Sequence, residues 1–206
     1  MFAALAMSEM VLGTTNLVGT GADICANAVD RRGVFTQHYE TDALDASVLL
    51  IPLVRFLPPD DERVRRTVCA IADELTVDGL VLRYKVEETD DGLAGEEGTF
   101  TICSFWLVSA LVEIGEVDRG RALCERLLSH ASPLHLYAEE IDPRTGRHLG
   151  NFPQAFTHLA LINAVMHVIR AESEDARVVS PPQPLPPAPV ANPSATEDAA
   201  RPDPTS

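Results

Sequence analysis

Residues 137–158 read YAEEIDPRTGRHLGNFPQAFTH. Two adjacent carboxylates, Glu139 and Glu140, follow an aromatic residue. A turn built on Asp142, Pro143 and Gly146 comes next, then Gly150-Asn151, and a helix opens at Pro153. That helix, spanning 153–169 (PQAFTHLALINAVMHVI), contains no Asp, Glu, Lys or Arg. A helix apolar on every side is expected to be buried on every side. Acids set just ahead of such a helix stand at the mouth of a core, where a carboxylate can be tuned for proton transfer.

The same arrangement recurs toward the N-terminus. Residues 117–130 (VDRGRALCERLLSH) predict a one-sided helix with Val117, Leu123 and Leu127 inward. Before it, residues 99–114 (TFTICSFWLVSALVEI) carry no charge until Glu113 and predict a second buried helix, preceded by the long loop 76–98. The helix predicted from Glu62 to Leu75 is again one-sided. Val64, Val68, Ile71 and Leu75 form its stripe, and Asp60 or Asp61 is its N-cap. Residues 42–56 (DALDASVLLIPLVRF) are almost wholly apolar after Asp45 and predict a further buried helix, kinked near its end by Pro52. A weaker helix spans 16–31, interrupted by Gly19 and Gly21. Buried and one-sided helices therefore alternate, with long loops before the buried ones. That is the pattern of an all-α, two-layered α/α toroid, about six helices of it. It predicts that the loops 31–42, 76–98 and 131–152 gather at one end and build one site.

Composition narrows the function class. A net charge of −15 over 206 residues opposes binding to nucleic acid or to an anionic membrane surface. No run of 18 apolar residues exists, so no membrane span is expected. The N-terminal MFAALAMSEMVLG lacks a basic region and contains Glu9, which makes it a poor signal peptide. Four scattered cysteines (Cys25, Cys69, Cys103, Cys124) form neither a CxxC nor a Cys/His ligand spacing. Reduced thiols and a cytoplasmic location are the expectation. Nine of the fifteen prolines fall in 178–206, and 173–206 reads as a disordered tail.

Five blocks in order carry a family resemblance: FTQHYETDALDASVLLIPL, FLPPDDERV, DGLVLRY, DDGLAGEEGTFTICSFWLV and YAEEIDPRTGRHLGNFPQAFTHLALINA. Together they resemble family 15 glycoside hydrolases (glucoamylases, glucodextranases and bacterial trehalases), over about residues 28–172. Residues 1–27 match poorly. The resemblance implies an (α/α)6 barrel and inverting hydrolysis of an α-glucosidic bond, in an α-glucoside or oligosaccharide, without a cofactor. It puts the general base at Glu139, with Glu140 as a binding or orienting neighbour. Arg83, before Tyr84, falls on the family's substrate-contacting arginine, and a forked guanidinium suits sugar hydroxyls. Glu96 and Glu97, ahead of the second buried helix, are assigned to sugar binding.

Inversion needs a second carboxyl group, roughly 6.5–9.5 Å from the base. In the family this general acid lies in an upstream Trp-Glu motif. The one tryptophan here, Trp106, is followed by Leu107. The chain thus resembles the C-terminal half of a family 15 catalytic domain. It is expected to be nearly inactive alone, and to be completed by another chain or to self-associate through exposed inner helices.

Plainer readings stand beside these. His158 and His167 suit satisfied core histidines, Trp106 a core position, and Asp90-Asp91 a solvated loop. The alternatives in function are a non-catalytic helical module binding sugar or protein, and another α/α-toroid sugar enzyme. An epimerase would need His135 or His148 at the mouth, and a zinc cyclase would need a Cys/His set that the loops lack.

Overall fold

The computed structural model describes residues 14–85 and 98–179. The first helix, α1, is Thr14–Asn27, and a single antiparallel bridge, Val29 to Phe35, closes the turn after it. The helix expected over 42–56 forms only in its middle, as a 3-10 turn (Ala46–Leu49) running into the short α2, Leu50–Leu53. Asp45 accepts a hydrogen bond from the Ser47 amide at 2.7 Å and fixes the start. Pro52 supplies no N–H, and Arg55 turns the chain away at φ 60°. The segment is nonetheless interior: Ala46, Val48, Leu49 and Ile51 are all buried.

Helix α3, Glu62–Glu74, starts where expected, with the Asp61 carboxylate accepting from the Arg63 amide at 2.9 Å. Its predicted stripe, Val64, Val68, Ile71 and Leu75, is buried throughout. A two-residue hairpin follows, pairing β1 (Thr76–Val77) with β2 (Leu80–Val81). Its turn, Asp78-Gly79, holds both residues at positive φ, the geometry that Asp-Gly favours.

Helix α4, Thr101–Glu113, is the centre of the molecule. One side meets α2 and α3 through Cys103, Leu107 and Leu111. The other meets α5 (Val117–Ser129) and α6 (Ala155–Val179) through Phe105 and Val108. Gly120 lets α5 close on α4, because a Cβ there would stand 2.8 Å from Val112 Cγ2 and 3.3 Å from the Val108 carbonyl. A second small sheet, β3 (Thr99–Phe100), β4 (Glu140–Ile141) and β5 (His148–Leu149), is antiparallel in the order β3-β4-β5. The fold is thus helix-rich, with six α-helices among the described residues and two small sheets that the all-α expectation omitted.

Helix α6 departs from expectation in two ways. It runs to Val179, past the tail boundary expected at residue 172. It is also buried on one side only, through Thr157, Ala160, Ala164 and Val168. Phe156, Leu159, Ile162, Met166 and Ile169 form an open apolar stripe on the other side. Among the described residues, no helix is long and apolar enough to cross a membrane.

Candidate functional site

The first turn of α6 grips the segment that precedes β4. Gln154, Thr157 and His158 occupy positions i, i+3 and i+4, which share one helix face. The Gln154 amide donates to the Tyr137 carbonyl (2.9 Å), the Thr157 hydroxyl to the Ala138 carbonyl (3.2 Å), and the Tyr137 amide to His158 Nε2 (3.3 Å). The Tyr137 ring is buried, edge-on to Phe105 at 5.5 Å, and its hydroxyl donates to the Leu127 carbonyl at 3.1 Å. Burial pushes the Tyr137 hydroxyl above its ordinary pKa, and the phenol remains a donor there.

Glu139 follows directly. Its amide donates to the Asn151 carbonyl (2.9 Å), and its carbonyl accepts from the Thr101 amide at the start of α4 (2.9 Å). The Oε2 atom accepts twice from Asn151, from Nδ2 at 2.9 Å and from the backbone amide at 3.2 Å. Gly150, at φ 70°, makes this approach feasible: a Cβ there would lie 2.9 Å from the same Oε2. The result is a half-exposed carboxylate with one oxygen fixed by donors. Glu140 points elsewhere, with its Oε2 accepting from the Gly98 amide at 3.0 Å, so the two adjacent carboxylates have separate environments. Glu96 and Glu97 lie outside the described residues, as do Asp90 and Asp91.

Arg83 reaches the same end of α4 from the β2 side. The Val81 amide donates to the buried Ser104 hydroxyl (2.9 Å), and the Ala46 amide donates to the Arg83 carbonyl (2.7 Å). The Arg83 guanidinium packs over the Tyr84 ring at 5.7 Å, and its Nε stands 4.0 Å from Asp45 Oδ2. Asp45 itself is 6% exposed. The Cys103 thiol, in the first turn of α4, is pushed up to about 12 by burial first and then by the Asp45 charge, with Arg83 opposing. Asp45 and Arg83 therefore face the first turn of α4, whose opening amide holds Glu139.

The described parts of loops 76–98 and 131–152 thus meet at the start of α4, together with Asp45, whereas loop 31–42, expected at the same end, bonds to α3 and α1 through Phe35–Thr67 and Tyr39–Asp23. Two contributors went unread in the sequence. Asn151 follows the turn built on Asp142, Pro143 and Gly146, and Gly-Asn beside a carboxylate is a donor-rich pair. Asp45 opens the apolar run of 42–56, and an acid in that place is also an N-cap signal. His148 bonds the His130 carbonyl and stacks beside Tyr137, while His135 is exposed. His167 is held by Glu113 at 3.1 Å.

Residues 13–166 match the family model described as glycosyl hydrolases family 15. A trehalase of Mycolicibacterium smegmatis is 81% identical over 153 residues, which cover 74% of this chain and 23% of that protein. A trehalase of Mycobacterium tuberculosis is 80% identical over 153 residues, covering 74% and 22%. One from Thermoplasma acidophilum is 44% identical over 128 residues, covering 62% and 22%. The chain spans under a quarter of the length of these relatives. Among solved structures, a glycosidase aligns at TM-score 0.61 and 20% identity, over 73% of this chain and 42% of its own. A variant glycosidase with the same score and coverage was solved in complex with glucose.

Proposed function

This chain belongs to glycosyl hydrolases family 15, and from that premise we propose that it carries the general-base side of an inverting α-glucosidase site. The observation that carries the reading is the Glu139 carboxylate, one oxygen held by Asn151 and the backbone carbonyl tied to the first amide of α4. A carboxylate fixed through one oxygen leaves the other to take a proton from water. In the proposed reaction that water attacks the anomeric carbon as the glycosidic bond breaks, its proton passes to Glu139, and the leaving oxygen is protonated by an acid from the rest of the domain.

Arg83 is the proposed sugar contact, braced by Tyr84 and Asp45, with Glu140, Glu96 and Glu97 as further binding groups. The substrate is an α-glucoside. Trehalose is favoured over maltodextrins because the relatives of highest identity are named trehalases. The four cysteines are unpaired, which fits a reducing cytoplasm.

The fold in this reading is part of an α/α toroid, and the open stripe on α6 is the seam on which the rest of such a domain packs. Burying five half-exposed side chains of this size is worth on the order of 5 kcal/mol. A complementing polypeptide or a second copy of this chain fills the same seam when the rest is not covalently joined.

The test is Glu139→Gln in the chain joined to, or mixed with, the remaining part of the domain. Trehalose hydrolysis should fall at least 10²-fold, the scale of a lost general base, while glucoside binding by calorimetry is retained. A fully active variant would end the assignment. The binding-module alternative predicts calorimetric binding and no hydrolysis in the completed wild type.

A further inference from the structure

The two ring nitrogens of His158 have different partners, and these fix its chemical state. Nδ1 is 2.7 Å from the Gln154 carbonyl oxygen, which can only accept, so Nδ1 carries the hydrogen. Nε2 faces the Tyr137 amide, which can only donate, so Nε2 presents a lone pair. Both contacts are satisfied by one species, the neutral ring protonated at Nδ1. A second proton would set an N–H against the Tyr137 N–H and remove the acceptor.

The Tyr137 amide stands two residues before Glu139, on a segment also held by the Gln154 amide, the Thr157 hydroxyl and, through the Tyr137 hydroxyl, the Leu127 carbonyl. We propose that neutral His158 is a positioning residue for the general base: it latches the backbone leading into Glu139, and protonation of the ring opens the latch. This rests on Glu139 being that base. The latch acts through the backbone, so it adjusts where the carboxylate points without touching substrate. Titratable groups near the ring include Tyr137, whose ring packs on it at 5.9 Å, and, beyond Tyr137, His148 and His130. His130 is held below its ordinary pKa by burial first and then by Arg126 and His148. Glu139 is the carboxylate on the latched segment, and its Oε2 is occupied by Asn151.

Two measurements test the proposal. On this chain, ¹⁵N imidazole spectra should show the Nδ1-protonated tautomer of His158, and the Tyr137 amide resonance should move as that ring protonates. Amide exchange at Tyr137 and Glu139 should quicken roughly three- to tenfold in His158→Phe and return toward wild type in His158→Gln, whose side-chain oxygen can accept. The opposite tautomer, or unchanged exchange in His158→Phe, would overturn the latch. In the completed enzyme, His158→Phe should lower kcat by roughly 10–100-fold with KM nearly unchanged, the scale of a displaced catalytic group. His158→Gln should keep most of kcat and shift the acid limb of its pH profile. If Glu139→Gln is inactive while His158→Phe keeps its kcat, the positioning role falls alone. If Glu139→Gln stays active, the base reading falls first and the proposal with it.

Discussion

Gly146 and Gly150 lie on either side of β5 with nearly the same backbone, at φ 69° and 70°. They differ in what a methyl group would meet. At Gly146 nothing lies within 4 Å, whereas at Gly150 the new Cβ would stand 2.9 Å from Glu139 Oε2 and 3.1 Å from Glu139 Cβ. Alanine in the left-handed region costs about 1–2 kcal/mol at either site. At Gly150 the carboxylate must also swing away, which breaks its two bonds to Asn151. Hydrogen bonds of this exposed kind are worth about 1 kcal/mol together. Gly150→Ala should therefore be less stable than Gly146→Ala by about 1 kcal/mol, or about 2–4 °C in Tm for a chain of this size. Urea and thermal unfolding of the two variants against wild type measure it. In the completed enzyme only Gly150→Ala should lose kcat, because only there is the proposed base displaced. Equal destabilisation with equal activity would refute the reasoning, since it would mean that the Glu139 geometry does not depend on the space left at Gly150.

Phe105 is wholly buried between Tyr137 and the α5–α6 layer, and Phe105→Ala should cost about 3–5 kcal/mol, read as a fall in the urea midpoint. The Asp61 carboxyl is held below its ordinary value, chiefly by its hydrogen bond to Arg63. A depressed carboxyl contributes stability above its unfolded pKa of about 3.9 and loses it as pH falls through the native value. Asp61→Asn keeps a capping oxygen but should flatten the acid limb of the stability curve below about pH 5, and an unchanged limb would contradict the pairing. The Cys103 thiol, pushed up to about 12 and buried, should resist thiol reagents at pH 8 in the native state and react on unfolding. Rapid native labelling at Cys103, located by mass spectrometry, would show that the start of α4 is open.

Helices with a polar face were the most legible part of the chain. In α3, the stripe Val64, Val68, Ile71, Leu75 and the Asp61 cap state both the period and the start, and the structure agrees at each. The segment 42–56 was legible as interior but not as shape. Its apolar run reports burial, while the conformation is set by Asp45 bonding Ser47 and by the missing N–H of Pro52. The two-residue strands were invisible because each has too few residues for a period of two, and the Thr99–Ile141 pairing also joins positions far apart in sequence. At the site, Glu139 was reached through family blocks and not through physics, since Glu-Glu pairs are ordinary. Its holders, Asn151 and the α6 residues that grip Tyr137 and Ala138, emerge only when the helix start and the loop lie side by side.

Helix α6 shows why an uncharged sequence is ambiguous about its surroundings. Residues 101–112 and 155–169 are alike in carrying no charged side chain, yet α4 is enclosed and α6 is open along Phe156, Leu159, Ile162, Met166 and Ile169. The difference is not in the helices but in what flanks them: α4 has the α2–α3 layer on one side and α5 and α6 on the other, whereas among the described residues α6 has neighbours on one side only. Helical spacing places the open residues on a single face, so the stripe has the pattern of an interior surface. The inner side of the same helix carries Thr157 and His158, which grip the Glu139 segment. Pressure on the outer face therefore acts on the helix whose first turn orients the proposed base. Covering that stripe and holding the Glu139 segment thus fall to opposite faces of one helix.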